Sequence, residues 1–529
     1  MFMALREDKI GQTWLIPPSI DELVPENHIC HLIVALMDKL DFSSVEEKYR
    51  CTRGRPAYSR RMLLRLLLLA YTDCVFSSRK IAKLAEENVI YMYVTGGEKP
   101  DFRTICNFKI ECKVLIAAAF LETVYFARSL GMVKLGNLPI DGTIIKAKAS
   151  NQHSISEEDL ELVQKLIDKG ILADMEEDDL YGDERGDQLP PGSKDKIREI
   201  IEKDDELKGK LHKAGWNLLG NYVKGGAEEK QKVQETIEKA RMELDKSGQD
   251  AVSLTDAESR FMKNKKGHKE LSYNYQVAVD SDSSIIVASV ISQDPTDHKQ
   301  LQPVIEEIEK NLGPLPESTQ ITADNGYFSG ESLRYLEKKG LDGYIPNKKQ
   351  ASKHKRKKSE DKPYSKDKFT YDLVTDEFTC PQGEKLVRKG KYFNKSTKKT
   401  FHTYYGANCK ECPVKLECTG REDRVKVISC NEYEPERQRM ALKMETPKAK
   451  EEYQKRKIVE QPFGNIKYNM KYIEFLTRGL NKIEVEKNLL NSVNNLKLIW
   501  NKITKNTNKN NQIKIQRTNN KNPKSISTT

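Results

Sequence analysis

The chain has 529 residues, 37% of them hydrophobic and 32% charged, enough for several domains of ~150 residues under a strongly polar surface. Ninety basic against 79 acidic residues leave +11, which favours a polyanionic partner without naming one. The first nine residues lack a signal peptide's apolar core, and the greasiest runs, 66–71 and 114–121, fall short of the ~18 apolar residues of a membrane span. Ten cysteines in so long a chain are too sparse for a disulfide scaffold; five precede position 113 and five fall between 380 and 430. Secretion and membrane insertion are disfavoured, and a cytosolic (cytoplasmic) protein acting on nucleic acid is expected.

Residues 1–130 predict a helical domain. Ile29, Ile33, Leu36, Met37 and Leu40 keep helical spacing over 28–40, before a Gly54-Arg55-Pro56 break. Helices follow over 61–72 and 80–87, the second capped by Ser77-Ser78, and beyond Gly96-Gly97 and Pro100 another runs over 103–127 with Asp101 as its cap. Arg60, Arg61, Arg65, Arg79, Lys80 and Lys83 on short helices joined by tight turns resemble a helix-turn-helix. An ordinary bundle with a solvated basic face is the alternative, and the sequence leaves both open.

The segment 138–149, LPIDGTIIKAKA, is rich in β-formers and carries Asp141 near its start. A charged helical insertion is expected over 151–266, acidic at 157–187 and broken at Pro190-Pro191. Strand signals return at 272–280, where Tyr273, Tyr275, Val277 and Val279 alternate with smaller or polar residues, and at 284–291, a spacing that suits a meander. Leu301, Val304, Ile305 and Ile308 mark a helix over 299–311. A strand over 319–323 ends at Asp324-Asn325-Gly326, followed by a helix over 332–339 and a strand over 341–346. The predicted fold class is mixed α/β, its core assembled from 131–150 and 267–347.

A basic, Cys-rich insertion over 348–450 opens on Lys348, Lys349, Lys353, Lys355, Arg356, Lys357 and Lys358, a run suited to disorder or to phosphate contact. Helices over 451–504 are expected to complete the core, with Ile483, Glu486, Leu489, Leu490, Val493, Leu496 and Trp500 on one amphipathic helix. The stretch 505–529, rich in Asn, Lys and Thr and without an acidic residue, is expected to be a disordered basic tail.

Three acids stand at informative places: Asp141 in the first core strand, Asp324 at the carboxyl end of a later one, and Glu460 in a helix after the second insertion. Each alone is most simply a surface carboxylate. Together they match what phosphoryl transfer to water or a 3′-hydroxyl requires, hard oxygen ligands for two Mg²⁺ or Mn²⁺ ions about 3.5–4 Å apart. Tyr453, Arg456, Glu460 and Lys467 fit Y-x2-R-x3-E-x6-K and fall within about 60° of one another on a helical wheel. Pro462 is expected to kink this helix just after Glu460 and makes the Lys467 placement the least secure.

Asp141 in PIDGT, Asp324 in ADNGYF and Glu460 in the Tyr-Arg-Glu-Lys signature resemble the DDE triad of bacterial insertion-sequence transposases. GRPAYSRRMLL, SSRKIAKLAEEN and PDFRTICNF are similar to that group's N-terminal domain, and TDAESRFM and YNYQVAVD to its segments between the first two acids. The Gln461 between Glu460 and Pro462 departs from the pattern. The resemblance implies an RNase H-like core split by two insertions, with Asp141, Asp324 and Glu460 as catalytic metal ligands. It also implies binding of terminal inverted repeats and target DNA, a homodimer on paired ends, metal-dependent cleavage and strand transfer. Tyr453, Arg456 and Lys467 would then contact DNA phosphates, possible because Arg grips a phosphate bidentately and Lys as a point charge. Two other readings use the same residues, a non-catalytic DNA-binding descendant and an RNase H-like nuclease without strand transfer.

Cys380, Cys409, Cys412 and Cys418 suit a tetrahedral Zn²⁺ site, with Cys430 as a spare ligand; burial of single thiols is the alternative. Tyr392, Phe393, Phe401, Tyr404 and Tyr405 can stack on an unpaired base or, more simply, pack a small β-domain. Asp280 shares a strand face with Asn274 and Gln276, near the metal site or merely as a strand-end carboxylate, and Asp297-His298 is expected to start a helix.

Overall fold

A computed structural model describes residues 19–47, 56–181, 211–224, 226–264, 266–352, 363–395 and 398–519. The chain forms two compact units, Met1–Gly131 with Glu484–Thr529, and Met132–Ile483. The predicted features at Gly54-Arg55, Pro190-Pro191, Lys353 and 355–358 lie outside the described residues.

The first unit is helical: α1 (Ile29–Met37), α2 (Arg60–Thr72), α3 (Ser78–Glu87), α4 (Val89–Thr95), α5 (Phe102–Glu111) and α6 (Lys113–Ser129). Its starts are capped as short polar side chains allow. Ser59 Oγ accepts the Met62 amide, Asn88 Oδ1 that of Ile90, and Asp101 Oδ1 those of Arg103 and Thr104. The single helix expected over 103–127 is two, divided at Cys112. Much of the basic face is engaged internally. Arg60 pairs with Glu111, Arg61 and Arg65 with Asp38, and the Arg79 guanidinium lies 4.8 Å from the Phe102 ring centre.

The last helix runs Leu480–Asn519, so it continues beyond 505, where the sequence predicts loss of structure; 520–529 lie outside the described residues. From Glu484 on it belongs to the helical unit rather than to the α/β core expected to hold 451–504. Its buried stripe of Leu489, Leu490, Val493, Leu496 and Ile499, with Asn495 Nδ2 donating to Thr123 Oγ1 at 3.2 Å, accounts for that.

In the second unit, β1 (Asn137–Lys146) leads into an insertion: β2 (Ser154–Ser156), α7 (Glu157–Tyr181), α8 (Lys213–Lys224), α9 (Ala227–Ser247) and β3 (Ala251–Ser253). This segment is less polar inside than its charge predicts. Leu160, Val163, Ile167, Leu218, Val233 and Ile237 form its own core, and β2 pairs with β3 at its base.

The chain then forms β4 (Arg260–Lys263), β5 (Lys269–Val279), β6 (Ile286–Ser292), α10 (Leu301–Leu312), β7 (Gln320–Ala323), α11 (Gly330–Lys338) and β8 (Asp342–Tyr344). In the sheet β6 pairs β5, β5 pairs β1, β1 pairs β7 and β7 pairs β8; β4 pairs the start of β5. The β6–β5–β1 meander is antiparallel, whereas β7 and β8 run parallel to β1. Both kinds of connection follow from the sequence: a tight turn joins β5 to β6, and helices cross over before β7 and β8. Every residue of β5 from Leu271 to Val279 is buried, so its polar members must find internal partners.

The second insertion holds a separate antiparallel sheet, β9 (Thr370–Asp372), β10 (Glu377–Thr379), β11 (Lys385–Asn394), β12 (Lys399–Gly406) and β13 (Val427–Asn431). Tyr371, Phe378, Leu386, Tyr404, Ile428 and Cys430 form its core. After α12 (Glu434–Lys443), a helical run passes through α13 (Pro447–Gln454), a 3-10 stretch (Lys455–Val459), α14 (Glu460–Gly464) and a π turn (Asn465–Asn469). No described helix is long and apolar enough to cross a membrane.

Ile140 is fully buried in β1 directly opposite Ala323 of β7. Ile140→Ala is expected to cost about 2–5 kcal/mol, read as a lower urea midpoint for the sheet's unfolding.

Candidate active site

The parallel pairing of β1 with β7 places Ile140 beside Ala323, and the next residue on each strand is an aspartate. Asp141 and Asp324 therefore follow side by side on this pairing. Asp141 remains in strand, paired across to Val277 of β5. Asp324 ends its strand and caps the turn Asn325–Tyr327, its Oδ1 accepting the Gly326 amide at 2.7 Å. Burial pushes the Asp141 carboxyl up to about 6, and the Asp324 charge adds to this while the Arg456 guanidinium opposes it. Asp324 is raised by burial and by the Asp297 charge, against the Gly326 N–H and Arg456.

The helical run supplies the cation. Thr446 Oγ1 caps α13 by accepting the Ala449 amide, with Pro447 in the first turn, where its missing N–H costs nothing. Arg456 Nη1 donates to Asp141 Oδ2 at 2.9 Å and Nη2 to Glu460 Oε1 at 3.3 Å. One guanidinium thus joins the two acids. The Glu460 side chain is 62% exposed, against 17% for Asp141. Tyr453 lies against the same guanidinium, 6.0 Å from its ring centre.

Lys467 reaches β1, its Nζ donating to Thr143 Oγ1 at 2.6 Å and to the Ile144 carbonyl at 2.7 Å. The expected break at Pro462 is instead a change of winding from 3-10 through α to π, which lets Val459, Pro462 and Ile466 stay buried in sequence. Gln461, the departure from the family pattern, accepts the Ser284 hydroxyl at 2.8 Å.

A fourth acid stands at this place, where the sequence predicts only a helix start. Asp297 Oδ1 accepts Asn274 Nδ2 at 2.9 Å and Gln276 Nε2 at 2.6 Å. The Tyr327 hydroxyl in turn donates to Gln276 Oε1. Asn274, Gln276 and Tyr327 are almost wholly buried. The legible signal was the pair of amides on one face of a strand too apolar to be half-exposed, since buried amides need partners. Asp280 takes the blander of its two readings. Its carboxylate accepts the amides of Lys134, Leu135 and Asp282 and ties down the β5–β6 turn.

Among the described residues, no group of three or more His, Cys, Asp or Glu side chains is arranged to hold a metal ion. The donor set of the aspartate pair nonetheless suits a divalent cation: hard oxygens, buried, with raised carboxyls that a further positive charge would relieve. In the Cys-rich sheet Cys430 is a core residue rather than a spare ligand, its thiol pushed up to about 12 by burial. Cys418 is raised by burial and then by neighbouring Cys409, Cys412 and Cys380, against Lys426. A Cβ on Gly406 would collide with Cys409 Sγ, so only glycine lets that thiol turn inward. Of the aromatics, Tyr404 belongs to the core, while Tyr392 and Phe393 are exposed.

Residues 379–500 match a family model described as a transposase DDE domain, and residues 18–111 match one described as a transposase domain (DUF772). The first takes in the strands from β11 on and the helical run with Arg456 and Glu460; the second takes in α1 to α5. Asp141 and Asp324 lie outside both matches. Two separate parts of the chain are thus similar to transposase families, which supports an insertion-sequence DDE transposase; such families in general work with a divalent cation. No match is found among curated proteins.

The two bonds from Lys467 to β1 give this side chain a structural task. Lys467→Met leaves both acceptors without their donor and is expected to cost about 1–3 kcal/mol of unfolding free energy, measurable by urea denaturation without DNA.

Proposed function

We propose that this chain binds the terminal inverted repeats of its insertion sequence and catalyses DNA cleavage and strand transfer at Asp141, Asp324 and Glu460. The core is read as RNase H-like and split by the two insertions. The observation that carries the reading is the pairing that sets Asp141 and Asp324 side by side, with Arg456 and Glu460 brought over them by one helical run. The strand order third-second-first-fourth-fifth, with only the last two parallel to the first, supports it.

Asp141 and Asp324 would hold Mg²⁺ or Mn²⁺, with Glu460 as the third carboxylate. The bound ions would supply activation of the attacking hydroxyl and stabilisation of the leaving oxygen. The chain's own part is to hold carboxylates in a poorly solvated place and to seat the DNA backbone. Arg456, its planar fork now spread over Asp141 and Glu460, offers the charge and shape that grip a phosphate. A phosphate that takes Arg456 releases both acids from their shared partner, so DNA arrival and freeing of the carboxylates become one event. Tyr453 flanks that phosphate. Lys467 contributes a positive charge held against β1.

Two copies acting on paired ends, in the cytoplasm, complete the proposal. The small sheet is proposed to carry Zn²⁺ on Cys380, Cys409, Cys412 and Cys418, the thiols whose mutual influence on Cys418 motivates the assignment.

Asp324→Asn keeps the size of the side chain and removes its charge. Cleavage of a terminal-repeat duplex is expected to fall below detection while binding to that duplex stays near wild type; equal loss of both would assign Asp324 a structural role. Joined products in the wild-type reaction separate a transposase from a nuclease that only hydrolyses. Purified protein is expected to hold about one Zn²⁺ per chain by atomic absorption, and Cys412→Ser to lose it. A zinc-free wild type would leave the thiols as packing groups.

A further inference from the structure

The acid at 297 has a more definite place than a helix start requires. Its Oδ1 is saturated by two amides that are themselves buried, Asn274 at 2.9 Å and Gln276 at 2.6 Å. Its Oδ2 accepts no hydrogen bond from a described residue. Each aspartate of the pair is followed closely by a glycine, and both glycines border Asp297. A Cβ on Gly142 would collide with Gln276 Nε2 and stand 2.8 Å from Asp297 Oδ1. A Cβ on Gly326 would stand 2.9 Å from Asp324 Oδ1 and 3.3 Å from Asp297 Oδ2. Neither glycine needs a left-handed backbone; Gly142 is kept small chiefly by the Gln276 amide that anchors Asp297, and Gly326 by the Asp324 carboxylate with Asp297 next to it. The unpaired oxygen of Asp297 and Asp324 Oδ1, which accepts the Gly326 amide, therefore both border the position where Gly326 has no side chain.

We infer that Asp297 is the positioning residue of the Asp141–Asp324 pair: anchored by Asn274 and Gln276, it borders Gly142 on β1 and the Gly326 turn and adds a negative charge that strengthens divalent-cation binding there. The inference rests on the metal reading of the site proposed above. It assigns Asp297 no contact with DNA. Anchoring of this kind follows a general pattern, in which groups behind the ligands orient them and contribute to metal affinity.

Asp297→Asn isolates the charge. The asparagine carbonyl can still accept both anchoring amides, and its NH₂ then faces Asp324 as a donor. Mn²⁺ binding to the full-length protein without DNA, followed by loss of the free-ion electron paramagnetic resonance signal, is expected to weaken about 10–100-fold. Binding to a terminal-repeat duplex without metal is expected to be unchanged. Gly326→Ala, which keeps every charge and pushes the two carboxylates apart, is expected to weaken Mn²⁺ binding as well. It serves as the second variant if Asp297→Asn does not fold. Wild-type Mn²⁺ affinity in the folded variants would overturn the inference. A wild type that binds no Mn²⁺, or an Asp141→Asn variant that binds it undiminished, would overturn the metal reading instead.

Discussion

The β1–β7 pairing is the constraint on which the remainder of the site depends. Side chains alternate across a sheet, so a slip of one residue would carry Asp141 to the opposite face and away from Asp324. The register is held by burial: Leu138 and Ile140 on β1, and Ile321 and Ala323 on β7, are fully enclosed. It is also held from the other side, because β1 extends past β7 and continues in register with β5 as far as Lys146. Asp141 is thus fixed by strands on both flanks. Asp324 sits where its strand stops, and a turn of three residues fixes it instead.

Electrostatics complete what register begins. Two carboxylates side by side in a poorly solvated place repel each other, and Asp297 adds a third charge to Asp324's surroundings. The described fold offsets this with Arg456, whose own charged state Asp141, Tyr453 and Asp324 favour against the cost of burial. A single cation shared among several acids leaves the site short of positive charge. That shortage keeps both carboxyls raised, and a further cation would relieve it.

The core elements were legible because their periods are clean. The alternation in β5 and the helical spacing of Leu301, Val304, Ile305 and Ile308 give the structure's strand and helix within three residues at each end. The place of Asp324 at a strand end, and that of Asp141 within the first core strand, were legible too. What sequence could not reveal depended on long-range contact. Nothing local announces that α5 and α6 part at Cys112, or that the last helix joins the helical unit from Glu484 on. Charge concealed the core of the first insertion, since its apolar residues are spread thinly over three helices. Asp297 escaped notice because its partners, Asn274 and Gln276, lie more than twenty positions earlier.

The first insertion leaves and re-enters the sheet at nearly one point. The Ala147 amide bonds the Leu271 carbonyl, and the Asn151 side chain donates to the Lys269 carbonyl and accepts from the Leu271 amide. Asn151 therefore acts as a clasp where a short hairpin loop would otherwise stand. A segment with its own core, whose two ends meet at such a clasp, adds little closure entropy to the sheet as it lengthens. Enlargement, exchange or shedding of that module leaves the spacing of the acids untouched, so this part of the chain is at liberty to diverge while the chemistry stays constant.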